Sequence, residues 1–172
     1  RGLLTPRTAD SHKGDYGRVL ILGGSRGKTG AAFLCATGAL RSGAGLVTVA
    51  TPSSCLPILA SMGPEFMTEP IDDTPDGLDA TSVGEILEAA RDVLAIGPGL
   101  GTAPGTRAFV RALVDRATVP LVVDADGLNA FAGDTELLRG REGRPVIVTP
   151  HPGEMARLVG TSIEDVQAHR LD

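Results

Sequence analysis

Gly17-Arg18-Val19-Leu20-Ile21-Leu22-Gly23-Gly24-Ser25-Arg26-Gly27-Lys28-Thr29-Gly30 is the stretch whose reading decides the fold. Its apolar run from Val19 to Leu22 is nearly continuous and stops at two glycines, the pattern of a parallel strand buried on both faces. From Thr29 to Ser42 the chain is rich in Ala and Leu and ends at Gly43, which predicts a helix with a glycine stop. Leu46-Val47-Thr48-Val49-Ala50 then reads as a second strand. Strand, glycine loop, helix and strand follow one another within about 35 residues, the size of a βαβ unit.

The same alternation continues outward. Ser53 to Ser61 predicts a short helix capped by Ser53 or Ser54, Pro64 to Pro70 an extended segment, and Ile71 to Asp79 an acidic surface loop. Thr81 to Arg91 reads as an amphipathic helix and Val93-Leu94-Ala95-Ile96 as a strand. Thr106 to Ala117 has the best helical periodicity, with Phe109, Ala112 and Leu113 on one face. Leu121-Val122-Val123-Asp124 is a strand, Leu128 to Leu138 a helix interrupted near Gly133, and Val146-Ile147-Val148-Thr149 a further strand. Two helices, Pro152 to Val159 and Ser162 to Leu171, close the chain. This order predicts an α/β fold, a mainly parallel sheet covered by helices on both faces. Ligands of such sheets sit beyond the carboxyl ends of the strands.

Composition narrows the function. The 172 residues suggest one domain, 42% of them are hydrophobic, and only 3% are aromatic, so the core is built from small aliphatic residues. No apolar run approaches the roughly 18 residues of a membrane span. A net charge of -5 without a Lys or Arg block argues against nucleic acid as a partner. Cys35 and Cys55 form no CxxC pair, and no signal peptide is visible, so reduced thiols and a cytoplasmic setting are expected. Arg1 in place of Met, and an end at Asp172 within a predicted helix, raise the expectation of a fragment.

The unusual residues cluster after the strands. Gly23 to Gly30 lies between strand and helix, where backbone N–H groups can meet an anion. It nearly matches a phosphate-binding P-loop, but Leu22 stands where that loop needs its first glycine. Gly97-Pro98-Gly99-Leu100-Gly101 offers a fixed surface free of side chains, or a plain tight turn; Pro104 excludes the dinucleotide fingerprint. Asp124-Ala125-Asp126-Gly127-Leu128-Asn129 can hold magnesium-bound phosphates or orient a hydroxyl, while Asp126 can equally cap the helix through Leu128. In Thr149-Pro150-His151-Pro152-Gly153-Glu154, Pro152 suits the first helical position, with His151 at the cap and Glu154 at N3. His151 can also hydrogen-bond a substrate or move a proton. His12 and His169 read as solvated.

Taken in order, these segments resemble the carbohydrate-kinase-like NAD(P)H-hydrate dehydratase family. The resemblance rests on His12 to Val19, Gly23-Gly24-Ser25, Gly30-Ala31-Ala32, Arg41 to Val47, Pro64-Glu65, Gly97 to Gly101, Asp124 to Asn129 and Thr149 to Glu154. It makes residues 1–11 a linker or tail and residues 12–172 the amino-terminal part of a single ribokinase-like domain, a three-layer α/β/α unit incomplete in this chain. It implies a lyase that repairs hydrated NADH and NADPH: ADP or ATP, with Mg²⁺, phosphorylates the hydroxyl on the damaged ring, and phosphate then leaves. Carried over by position, Ala31, Gly99, Gly101 and His151 are expected to contact the hydrated dinucleotide, and Asp124 and Asn129 to face the transferred phosphate. The family's Gly-Ser-Gly-Asp motif, with its catalytic Asp, is expected beyond Asp172. The resemblance also implies a homo-oligomer, often a tetramer, and in bifunctional members a preceding epimerase domain. Two other readings remain open: a P-loop-like NTPase or small-alcohol kinase that needs Lys28, and a non-catalytic nucleotide-binding fragment.

Overall fold

The computed structural model describes residues 6–90 and 92–170. In chain order its elements are β1 (Arg18–Leu22), α1 (Thr29–Arg41), β2 (Leu46–Pro52), α2 (Leu56–Met62), β3 (Met67–Ile71), β4 (Asp73–Thr74) and β5 (Gly77–Leu78). Then come α3 (Val83–Ala89), β6 (Val93–Ile96), α4 (Pro104–Arg116), β7 (Leu121–Val123), α5 (Asp126–Asn129), β8 (Val146–Val148), α6 (Pro152–Val159) and α7 (Ile163–Ala168). Short 3₁₀ turns occupy Lys13–Tyr16, Ala80–Ser82 and Glu136–Leu138.

Six strands form one sheet in the order β3-β2-β1-β6-β7-β8, and every neighbouring pair is parallel. The chain builds outward from β1 to β3, then crosses back to lay β6, β7 and β8 on the other side of β1. Alternate residues of a strand point to opposite faces, so the β1 run feeds two cores at once. Leu20 and Leu22, with Leu94, Ile96, Leu121 and Val123, meet Phe109, Val110, Leu113 and Val114 of α4. On the other face Ile21, Val47 and Val49 meet Ala32 and Ala36 of α1 and Leu59 of α2. Alanine on α1 keeps that helix close to the sheet, which accounts for the small-residue composition. The three-layer α/β/α expectation holds. Among the described residues no helix is long and apolar enough to cross a membrane.

Several expectations shift. The segment 71–79 is not a loop: Ile71 ends β3, and β4 pairs with β5 as an antiparallel hairpin. Its turn, Thr74-Pro75-Asp76-Gly77, has the Pro-Asp-Gly chemistry that favours reversal. The helix expected from Leu128 to Leu138 is instead α5, one turn long and starting earlier, followed by turns and a 3₁₀ turn; Gly133 takes φ 74° there. The helix expected at Ser53–Ser61 begins at Leu56 with Cys55 at its cap, because Ser53 Oγ donates instead to Ile71 O at 3.1 Å. Pro70 lies in β3, at the sheet edge, where a missing N–H costs little. Arg91 and Leu171, the expected ends of two helices, and residues 1–5 of the expected tail lie outside the described residues. Within the rest of that tail, Arg7 donates to Gly43 O at 2.9 Å and lies over the Tyr16 ring.

Candidate functional site

β1 and β6 are neighbours whose connections leave in opposite directions. After β1 the chain turns to α1 on one face; after β6 it turns to α4 on the other. A crevice opens at such a switch point, and both glycine-rich segments lie at its mouth. They are stitched together: Gly24 N donates to Pro98 O at 2.8 Å, and Ser25 Oγ donates to Gly99 O at 2.7 Å. Ala31 sits beside Gly99, its Cβ 3.1 Å from where a Cβ on that glycine would fall. Gly97 has φ 132°, and a Cβ there would lie 1.7 Å from Asp124 O, so only glycine lets the β6 and β7 ends meet.

Asp126 is the hub of the polar groups at this rim. Its Oδ2 accepts from Gly101 N at 2.8 Å and from Lys28 Nζ at 3.2 Å, and its Oδ1 accepts from Asn129 Nδ2 at 3.3 Å. Asn129 Oδ1 in turn accepts from Arg157 Nε at 2.9 Å. One chain of contacts therefore links the start of α1, the loop after β6, α5 and α6. Asp126 does not cap the helix. The cap position belongs to Ala125, held at φ 50°, a conformation that costs a non-glycine residue on the order of 1–3 kcal/mol. That turn swings the Asp126 carboxylate toward Gly101. The Gly101 N–H is thus occupied within the protein.

Asp124 is half-buried, and its carboxylate accepts no hydrogen bond from the described residues. Burial raises the Cys35 thiol pKa, and the negative charge of Asp124 raises it further. His151 caps α6. Its Nδ1 accepts from Gly153 N at 3.0 Å and Glu154 N at 3.4 Å, and its own N–H donates to Glu154 Oε2 at 2.9 Å. Its Nε2 lies 3.2 Å from Glu154 Oε1. With Nδ1 accepting, the neutral ring carries its proton on Nε2, an assignment made from these contacts. Glu154 is buried by this box. The expected cap and N3 positions are both found. His12 and His169 are exposed, as expected.

Beside the crevice is an open cavity of about 600 Å³, walled by the loops after β1, β2 and β6 and by the β4–β5 hairpin. Gly101 lines it; Ala31, Gly99, Asp124, Asn129 and His151 are not among its lining residues. The sequence reading missed its polar wall: Arg26, Ser54, Asp73, Thr74, Thr102 and Thr106. The Pro-Asp-Gly turn is the available signal, since it marks a hairpin within the acidic segment. Among the described residues no group of three or more His, Cys, Asp or Glu is arranged to hold a metal ion.

The family described as NAD(P)H-hydrate dehydratase matches residues 19–172. The bifunctional NAD(P)H-hydrate repair enzyme Nnr of Moorella thermoacetica is 52% identical over 175 residues, covering 100% of this chain and 33% of that protein. The ADP-dependent (S)-NAD(P)H-hydrate dehydratase of Lactiplantibacillus plantarum is 40% identical over 161 residues, covering 92% of this chain and 54% of that protein. Among solved structures, the ADP/ATP-dependent NAD(P)H-hydrate dehydratase of Bacillus subtilis, co-crystallized with ATP/Mg²⁺, superposes with a TM-score of 0.72 at 31% identity, over 97% of this chain and 56% of that one. A ribokinase-like superfamily protein of Enterococcus faecalis gives a TM-score of 0.77 at 28% identity, over 93% of this chain and 54% of that one. The chain thus spans about a third of the bifunctional relatives and about half of the dehydratase.

Proposed function

This chain belongs to the NAD(P)H-hydrate dehydratase family, and from that premise we propose that it supplies the amino-terminal part, residues 12–172, of an enzyme that returns hydrated NADH or NADPH to the reduced dinucleotide at the expense of ADP or ATP. Hydroxide is a poor leaving group. Phosphorylating the ring hydroxyl and then expelling phosphate removes that obstacle, provided two anionic nucleotides are held together. The observation that carries the proposal is the crevice between β1 and β6, where two cross-linked glycine-rich loops border a cavity able to take part of a nucleotide.

In this reading Ala31, Gly99, Gly101 and His151 contact the hydrated dinucleotide, and Asp124 and Asn129 face the transferred phosphate. His151 has Nδ1 committed to the α6 cap and Nε2 3.2 Å from Glu154 Oε1, so it meets the dinucleotide with the exposed edge of its ring or by turning Nε2 away from Glu154. Because Asp126 occupies the Gly101 amide, Gly101 contributes a surface free of side chains rather than a hydrogen bond. Asp124 is suited to meet a magnesium ion that arrives on nucleotide phosphates, since its carboxylate accepts no hydrogen bond among the described residues; magnesium would there neutralise phosphate charge. The finer parts of the proposal are a cytoplasmic setting, supported by two separate thiols, a homo-oligomer with a tetramer favoured, and a fused epimerase domain, which the bifunctional names of relatives support. The test is direct: the full-length protein, given hydrated NADH, restores the reduced-nicotinamide absorbance when ADP or ATP is added and not without them. No recovery with either nucleotide ends the proposal.

A further inference from the structure

The cavity has two poles of opposite charge. Arg26 lines it from the loop after β1 and makes no ion pair among the described residues. Asp73 lines it from β4, and Ser54 Oγ, just past β2, donates to Asp73 Oδ2 at 2.9 Å. That leaves Asp73 Oδ1 without a donor among the described residues. A carboxylate only accepts hydrogen bonds, so the free oxygen can receive one from a ligand hydroxyl or amine.

Asp73 is exposed, but its mount is firm. Gly105 N, at the start of α4, donates to Asp76 O at 2.9 Å, and Leu78 N donates to Thr106 Oγ1 at 3.3 Å. Gly77 lies so close to α4 that a Cβ there would fall 2.4 Å from Thr106 Oγ1. The hairpin is therefore locked onto α4, and the Ser54 bond fixes the carboxylate from the other side. Carboxylates that accept from ribose hydroxyls recur at the strand ends of doubly wound sheets, and Asp73, which follows β3, presents one to this cavity.

We propose that this cavity holds the ribose of a nucleotide, with Asp73, positioned by Ser54, accepting hydrogen bonds from the sugar hydroxyls and Arg26 facing the phosphate side. The inference rests on the nucleotide-dependent reading above and adds a specificity to it: a ribose phosphorylated on those hydroxyls meets the Asp73 charge and is disfavoured. The sugar meant is an adenosine ribose, whose diol both the dinucleotide and the phosphate donor carry.

The test is calorimetric titration of the full-length protein with NADH, NADPH and ADP separately, for the wild type, Asp73→Asn, Ser54→Ala and the control Asp72→Asn, a neighbouring carboxylate outside the cavity lining. Circular dichroism checks that each variant is folded. Asp73→Asn is expected to weaken NADH about tenfold, the usual effect of losing a charge-assisted hydrogen bond, and to leave NADPH unchanged or tighten it, so the preference between them narrows. Ser54→Ala should follow in the same direction, more weakly, and Asp72→Asn should change nothing. If ADP weakens in place of NADH, the ribose is that of the phosphate donor and the subsite stands. Unchanged affinity for all three ligands in Asp73→Asn, or equal losses for NADH and NADPH, overturns the inference. Dehydration assayed on the same samples tells the two readings apart, since activity that survives with unchanged affinities sinks the subsite alone.

Discussion

Two parallel strands of this sheet carry nearly the same residues and are buried very differently. β1 offers Val19-Leu20-Ile21-Leu22 and β8 offers Val146-Ile147-Val148, both runs that call for burial on two faces. Ile21 and Leu22 are each 0% exposed, while Ile147 is 58% and Val148 39% exposed. The register lets the change be followed residue by residue. Val49, Ile21, Ala95, Val122 and Ile147 form one row across the sheet. Burial is complete at Val49 and Ile21, partial at Ala95 and Val122, and largely lost at Ile147. α1 and α2 cover that face above Ile21 and Val49, and none of the described residues covers it above Ile147. An apolar run therefore records that a strand is to be covered on both faces; what covers it is a property of other segments.

The contrast can be broken most severely where the two regions join. Gly97→Ala would drive a Cβ into the Asp124 carbonyl at a φ of 132°, parting β6 from β7, and should cost more than about 4 kcal/mol. Urea unfolding and soluble yield measure it; a midpoint close to wild type would mean the junction yields easily and the two regions are loosely coupled. Next in size, Leu22→Ala should cost about 2–5 kcal/mol, whereas Ile147→Ala should stay within about 0.5 kcal/mol, as surface changes do. Equal losses in the two variants would show that Ile147 is covered after all.

Arg144 tests how the β8 flank is fastened. It is 3% exposed, donating through Nη1 to Val114 O at 3.2 Å and through Nη2 to Arg139 O at 3.3 Å, with Nε unpartnered. Burial, and then the charge of Arg141, hold its pKa below the ordinary arginine value. Arg144→Ala leaves the Val114 carbonyl, near the end of α4, without this donor and should cost about 1–3 kcal/mol, less than Leu22→Ala and more than Ile147→Ala in the same unfolding series.

The smallest effect concerns Cys35, whose thiol pKa is raised by burial first and by Asp124 second. A raised thiol pKa means less thiolate at a given pH, so alkylation at pH 8 should be slower than for free cysteine. Asp124→Asn removes the smaller cause and should move the pH–rate profile down toward the ordinary thiol value. An unmoved profile would mean that the Asp124 charge does not reach Cys35.

Much of this arrangement was legible in advance, and the reason is local. Val19 to Leu22, Leu94 to Ile96 and Leu121 to Val123 declare strands by composition, and Pro152 with His151 and Glu154 declares a helix start by capping chemistry. Short-range preferences failed where a distant partner decided. Asp126 reads equally as a cap or a ligand-facing carboxylate, yet its carboxylate is claimed by Gly101, 25 residues away. The segment 71–79 reads as an acidic surface loop; residues 72–76 are exposed, yet the segment is a hairpin tied to α4 through Gly105 and Thr106.

The sequence by itself determined the strands, their parallel pairing through helical crossovers, and the placement of unusual residues at strand ends, because apolar period, glycine stops and caps act within a few residues. Tertiary structure alone decided which of those ends meet. Strand order puts β6 rather than β3 beside β1, and the loops it brings together bond across long separations, as Ser25 does with Gly99 and Ser54 with Asp73. Such contacts form between segments whose own patterns carry no record of each other, so the cavity they enclose becomes visible only in three dimensions.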